Sequence, residues 1–283
     1  MSGHPTRSYA YAADVFGLPD IDGDGRDEWA ALHYNASPVS TGLYLYEGEA
    51  STGAMDYVAD ALLVETATGA FGAGDFSGAD GGWWLGYSWD TSYQGAATLY
   101  EGTTAGDRYT GEADDDLAGA WIAGGDDYDG DGTSDVAIAA PVHEGGVIYV
   151  VLGPSAGDRR LADADSRILG AGATDELGRD LHAVGDIDGD GLADLLASAR
   201  SSPGGVSGAG AAWLLYGPRT GAVDIATAAD ARFTGDDPSD ACGAHGALGD
   251  LDGDGWLDIV LGCTRGDQGG EIDPGAVYVY LGG

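Results

Sequence analysis

The chain contains no lysine. Its 11 basic residues are all arginine, set against 48 acids, for a formal net charge of −37. An excess of that size and sign argues against a nucleic-acid backbone or an anionic membrane surface as partner. We read the missing lysine itself as the mark of a GC-rich bacterial genome. Cysteine is scarce as well, with only Cys242 and Cys263, so no dense disulfide framework holds the fold. The pair flanks one acidic segment, and the sequence leaves open whether it forms a disulfide or two buried thiols. No apolar run is long enough to cross a membrane as a helix, and residues 1–7 lack the apolar core of a signal peptide. Helical periodicity is missing. His4, His33, His143, His182 and His245 recur at no common position, and no Ser or Cys stands in a nucleophile-elbow context. Catalysis therefore has little support.

What the chain has in abundance is glycine, 52 of 283 residues, which suits a fold with many tight turns. Nearly the same nine residues occur four times, at 20–28, 127–135, 186–194 and 250–258. Carboxylates stand at positions 1, 3, 5 and 9 of each. They are Asp20, Asp22, Asp24 and Glu28; Asp127, Asp129, Asp131 and Asp135; Asp186, Asp188, Asp190 and Asp194; Asp250, Asp252, Asp254 and Asp258. Alternate side chains of a coiled loop, with a backbone carbonyl at position 7 (Arg26, Thr133, Leu192, Trp256), form an oxygen cage for calcium. Glycine at position 6 permits the sharp turn. An EF-hand is excluded, because position 12 is Ala31, Ile138, Ala197 or Leu261 where a bidentate Glu is needed. A degenerate copy begins at Asp75, with Ser77, Ala79 and Trp83 at positions 3, 5 and 9. Four calcium sites are expected, none at Asp75, and the longer arm of Glu28 makes the first the weakest.

The spacing of these loops, about fifty to sixty-five residues, fits one supersecondary unit per repeat. Each unit carries a strand before the loop, a short apolar run after it, and a third run bounded by Gly: 42–48, 95–102, 146–153, 210–217 and 275–282. Alternating Tyr, Val and Leu in those runs is the period-two pattern of half-buried strands. A fourth, more polar strand follows in four units, as at 166–170 and 231–235. Four short antiparallel strands, repeated five times without helix, predict an all-β fold of the β-propeller kind.

The units resemble FG-GAP repeats, the blades of the integrin α-chain propeller and its bacterial relatives. The acidic loops carry the likeness, Ala139-Ala140-Pro141 keeps its Gly-Ala-Pro segment best, and Leu177-Gly178, Ala118-Gly119 and Cys242-Gly243 stand where Phe-Gly would be. The resemblance implies calcium loops on one face and a partner bound on the opposite face through variable loops. Its members are mostly binding modules of adhesion proteins, lectins and surface complexes.

One domain over 1–283 is expected, in units of approximately 8–65, 66–112, 113–170, 171–235 and 236–283. The fifth reaches Gly283 after its third strand, so a closed five-bladed ring would have a three-stranded last blade or one patched weakly by the N-terminus. The alternative is a fragment of a seven-bladed propeller; a closed monomer is favoured. The function expected is a calcium-stabilised extracellular or periplasmic module that recognises a protein or carbohydrate. The alternatives are a calcium-dependent polysaccharide-active enzyme and a structural repeat of a larger surface protein. Trp83, Trp84, Tyr87, Trp89 and Tyr93 crowd the second unit. Trp83 and Trp84 are read as packing, and Trp89 and Tyr93 as candidate ligand contacts in a variable loop.

Overall fold

The computed structural model describes residues 10–17, 29–36, 39–46, 61–64, 69–74, 83–88, 93–101, 104–183, 185–199, 208–235, 237, 240–265 and 275–282. The sheets of the first two units are β1 (Ala10–Gly17), β2 (Trp29–Ala36), β3 (Val39–Tyr46) and β4 (Ala61–Val64), then β5 (Gly69–Gly74), β6 (Trp83–Ser88), β7 (Ala96–Glu101) and β8 (Thr104–Thr110). The third has β9 (Trp121–Asp126), β10 (Asp135–Ala140) and β11 (Val147–Val151), then the two-residue β12 (Arg159–Arg160) and β13 (Ser166–Leu169). The fourth has β14 (Leu181–Ala183), β15 (Leu195–Ala199), β16 (Ala211–Leu215), β17 (Gly221–Asp224) and β18 (Ala231–Thr234). The fifth has β19 (Cys242–Gly249), β20 (Asp258–Cys263) and β21 (Ala276–Tyr280). Helix among the described residues amounts to single turns, such as Ile225–Ala228.

Within each unit the strands pair antiparallel in chain order. Two sheets gain a fifth strand that the repeat pattern does not announce. The segment between the third and fourth strands of one unit reaches back to the preceding unit. There β12 pairs parallel with β8, and β17 pairs parallel with β13. Each four-stranded sheet thereby loses an exposed edge.

The third and fourth sheets are buried on both faces, and the expectation of half-buried strands is corrected there. Every residue of β10, β11, β15 and β16 is buried. Alternate side chains of a strand point to opposite faces, and the contacts divide accordingly. Val136, Ile138 and Ala140 join Leu99 and Tyr109 of the second unit, while Ala137 and Ala139 join Leu195, Ala197 and Trp213 of the fourth. Leu196, Ala212 and Leu214 turn the other way, to Ile259 and Leu261 of the fifth. The sheets thus stack face to face in chain order. Their first strands lie side by side: β1 by β5, β5 by β9, β9 by β14, and β14 by β19. Among the described residues β19 and β1 make no comparable contact. Cys242 and Cys263 face each other on β19 and β20 and form a disulfide.

Candidate metal centres

Each acidic loop joins the first and second strands of its unit, so the three described loops emerge at one end of their sheets. The loops at 20–28 and 75–82, with Trp89, lie outside the described residues. The other three repeat one hydrogen-bond pattern. The position-1 carboxylate accepts N–H bonds from both glycines: Asp127 from Gly130 (2.6 Å) and Gly132 (2.9 Å). Asp186 does so from Gly189 (2.7 Å) and Gly191 (2.8 Å), and Asp250 from Gly253 (2.6 Å) and Gly255 (3.0 Å). All six glycines have φ between 80° and 94°, a region that L side chains rarely enter. Asp129, Asp188 and Asp252 accept from the position-5 N–H, and Asp131, Asp190 and Asp254 accept from Thr133, Leu192 and Trp256 at position 7.

Position 9 is the anchor. Asp135, Asp194 and Asp258 are 4%, 0% and 0% exposed. One oxygen of each accepts the position-2 N–H (Tyr128, Ile187, Leu251) at 2.7 to 2.8 Å. The other accepts the N–H of the glycine just after the third strand: Gly153, Gly217 and Gly282 at 2.8, 2.9 and 2.8 Å. This explains why the third run is bounded by glycine on that side. Burial pushes the Asp135 carboxyl up to about 6, with Asp129 and Asp127 adding to the shift and the bonds from Gly153 and Tyr128 opposing it. Burial raises Asp194 as well. Exposed Asp131 moves down, held as the anion by the Thr133 side chain and N–H.

One oxygen from each of three carboxylates lies within 4.8 Å of the others in every described loop. The sets are Asp127, Asp129 and Asp135; Asp186, Asp188 and Asp194; and Asp250, Asp252 and Asp254. Hard oxygen donors at this spacing on a left-handed glycine turn fit a hard divalent cation. Asp131, Asp190 and Asp258 fall outside these sets, so the structure gathers three of the four expected carboxylates per loop.

The side chains at position 7 have a role that sequence reasoning missed, since only their carbonyls were considered. A Cβ on Gly130 would stand 2.9 Å from Leu192 Cδ2, and one on Gly189 would stand 3.1 Å from Trp256 Cζ3. The loops at 127–135 and 186–194 are therefore each roofed by the position-7 side chain of the next. The Tyr128 hydroxyl accepts the Arg219 N–H at 2.9 Å, and the Asp127 carbonyl accepts the Ala193 N–H at 2.8 Å. Adjacent loops are thus one packed layer.

A second recurring device lies at or just before the first strand of the third, fourth and fifth units. Buried Asp116, Asp175 and Asp240 are followed by Leu117, Glu176 and Ala241 at positive φ, then by Gly119, Gly178 and Gly243, also at positive φ. The Asp-x-x-Gly spacing is the sequence signal of this device. Of the aromatic ligand candidates, Tyr93 is 52% exposed at φ 55°. The side chains of Trp83 and Trp84 are outside the description.

The sequence model of the FG-GAP repeat matches residues 182–215. That stretch runs from β14 through the loop at 186–194 to the end of β16.

Proposed function

From the FG-GAP repeat in the fourth unit, we propose that this chain is a calcium-stabilised, propeller-type binding module with the five sheets as its blades. The observation that carries the calcium reading is a three-carboxylate cluster in each described loop, at positions 1, 3 and 9 in 127–135 and 186–194 and at positions 1, 3 and 5 in 250–258. Calcium is proposed at 127–135, 186–194 and 250–258, and by the same spacing at 20–28. Such loops bind with modest affinity where calcium is millimolar, which supports an extracellular or periplasmic setting. No helix among the described residues is long and apolar enough to cross a membrane.

Ligand recognition is assigned to the face opposite the loops, and the module is proposed to bind without catalysing. With a dissociation constant near ~0.1 mM and calcium at ~1 mM, mass action supplies about 1.4 kcal/mol per site. Scanning calorimetry with calcium and with chelator tests the reading. The melting temperature should fall by several degrees on chelation, and a curve that chelator leaves unmoved would sink it.

A further inference from the structure

At the end of the sheets remote from the acidic loops, the first strands of the third, fourth and fifth units surround a cleft of about 320 Å³. Trp121 opens β9, Arg179 precedes β14, Ser198 lies one residue before the end of β15, Cys242 opens β19, and His245 follows within it. The volume is at the low end for small-molecule sites, enough for one ring and not for a polymer.

The lining has a definite chemistry. The Arg179 guanidinium lies 5.9 Å from the centroid of the Trp121 ring. Glu176 holds Arg179 from one side through Nε (2.7 Å) and Nη2 (2.6 Å). Nη1 has no protein partner among the described residues, so the guanidinium is oriented with donor capacity to spare. Asp180, the next residue, is not a competing acceptor. Its oxygens take the Leu181 and Gly246 N–H groups at 3.1 and 3.0 Å, and one lies 3.1 Å from His182 Nε2. Ser198 lines the same cleft and is 5% exposed, and its hydroxyl has no hydrogen-bond partner among the described residues.

We infer that this cleft binds a small ligand carrying a single carboxylate beside a flat apolar face, the chemistry shared by a uronic-acid sugar and an aromatic acid. The Trp121 ring takes the flat face, and Arg179 takes the carboxylate. The formal charge of −37 repels polyanions, which limits the ligand to one carboxylate. This assignment rests on the proposal that the face opposite the loops is the binding face, and it names the ligand class.

Calorimetric titration in calcium tests it with galacturonate, phenylacetate, glucose and acetate. Galacturonate or phenylacetate should bind with a dissociation constant at or below about 1 mM. Glucose, which lacks the carboxylate, and acetate, which lacks the ring, should bind at least about tenfold more weakly. Which acid binds identifies the source of the ligand. Arg179→Gln and Trp121→Ala should each cost at least about tenfold. Trp121→Phe and Arg179→Lys keep part of the chemistry and should retain part of the affinity. Melting curves in calcium confirm that each variant is folded. Equal affinity for glucose and the acids, no effect of Arg179→Gln, or no binding of either acid overturns the inference. If calcium raises the melting temperature and neither acid binds, the cleft assignment alone fails. If an acid binds and chelator changes neither binding nor melting, the calcium reading alone fails.

Discussion

Asp135 and Asp194 both anchor their loops and belong to the carboxylate clusters, and the two roles can be separated. Each bonds the loop to the glycine after the third strand, so truncation breaks two N–H contacts whatever the metal content. Asp194→Ala should lower stability by about 2–4 kcal/mol in chelator as well as in calcium. Asp188 is exposed and, among the described residues, accepts only the Asp190 N–H at 3.2 Å. Asp188→Ala should abolish the calcium-dependent gain of one site and leave the metal-free protein within ~0.5 kcal/mol of the parent. Denaturant titration with and without calcium checks both, and equal losses in chelator would overturn the distinction.

The Asp135 carboxyl also sets a pH dependence. Its folded value of about 6 lies above the unfolded value near ~3.9, so the folded state favours the protonated form. That advantage is complete below about pH 4 and is lost as pH rises through about 6, on the order of 3 kcal/mol in all. In chelator the melting temperature should rise as pH falls from about 7 to about 5, a direction shared by the easing of the net negative charge. Calcium needs the anion, so its stabilising increment should shrink over the same interval. A metal-free protein that loses stability on this acidification would contradict the assignment.

At the scale of elements, the acidic loops are packed against one another. Gly189 has φ 80°, and a Cβ there meets the Trp256 ring. Gly189→Ala should cost about 1–2 kcal/mol from backbone strain and displace the tryptophan. Because Trp256 belongs to the loop at 250–258, calcium binding at both loops should weaken, with a change in tryptophan fluorescence. A titration in which only the 186–194 site weakens would show that the roof carries no coupling.

For the whole molecule, the decisive feature is the last strand. In the third and fourth units the third strand is wholly buried, whereas β21 exposes Val277 at 69% and Val279 at 50%. Tyr280 meets Phe233 of the fourth unit, with ring centroids 4.5 Å apart. Beyond β21, no described strand pairs with its outer edge. An apolar, unpaired edge is a template for another strand. Self-association in sedimentation experiments at high concentration is therefore expected, and Val279→Lys should reduce it. A monodisperse species of 28.5 kDa at every concentration would mean that the edge is covered, as a closed ring requires.

The sequence by itself determined the acidic loops and the strand repeat. Nine contiguous residues with Asp at 1, 3 and 5 and Gly at 4 and 6 fold on local terms, so spacing alone predicts carboxylates gathered around left-handed glycines. Short apolar runs bounded by glycine likewise mark β11 and β16 as strands. Only the tertiary structure decided what lies between units. Leu192 over Gly130, Trp256 over Gly189, β12 on β8, and Trp121 beside Arg179 join residues some fifty to seventy positions apart. The Cys242–Cys263 disulfide depended on the register of β19 against β20, and the exposure of β21 on there being no pairing strand at its outer edge among the described residues. Local periodicity tells which face a side chain takes; it does not tell what packs there. Those contacts follow from stacking one sheet on the next, where burial is shared between segments distant in the chain.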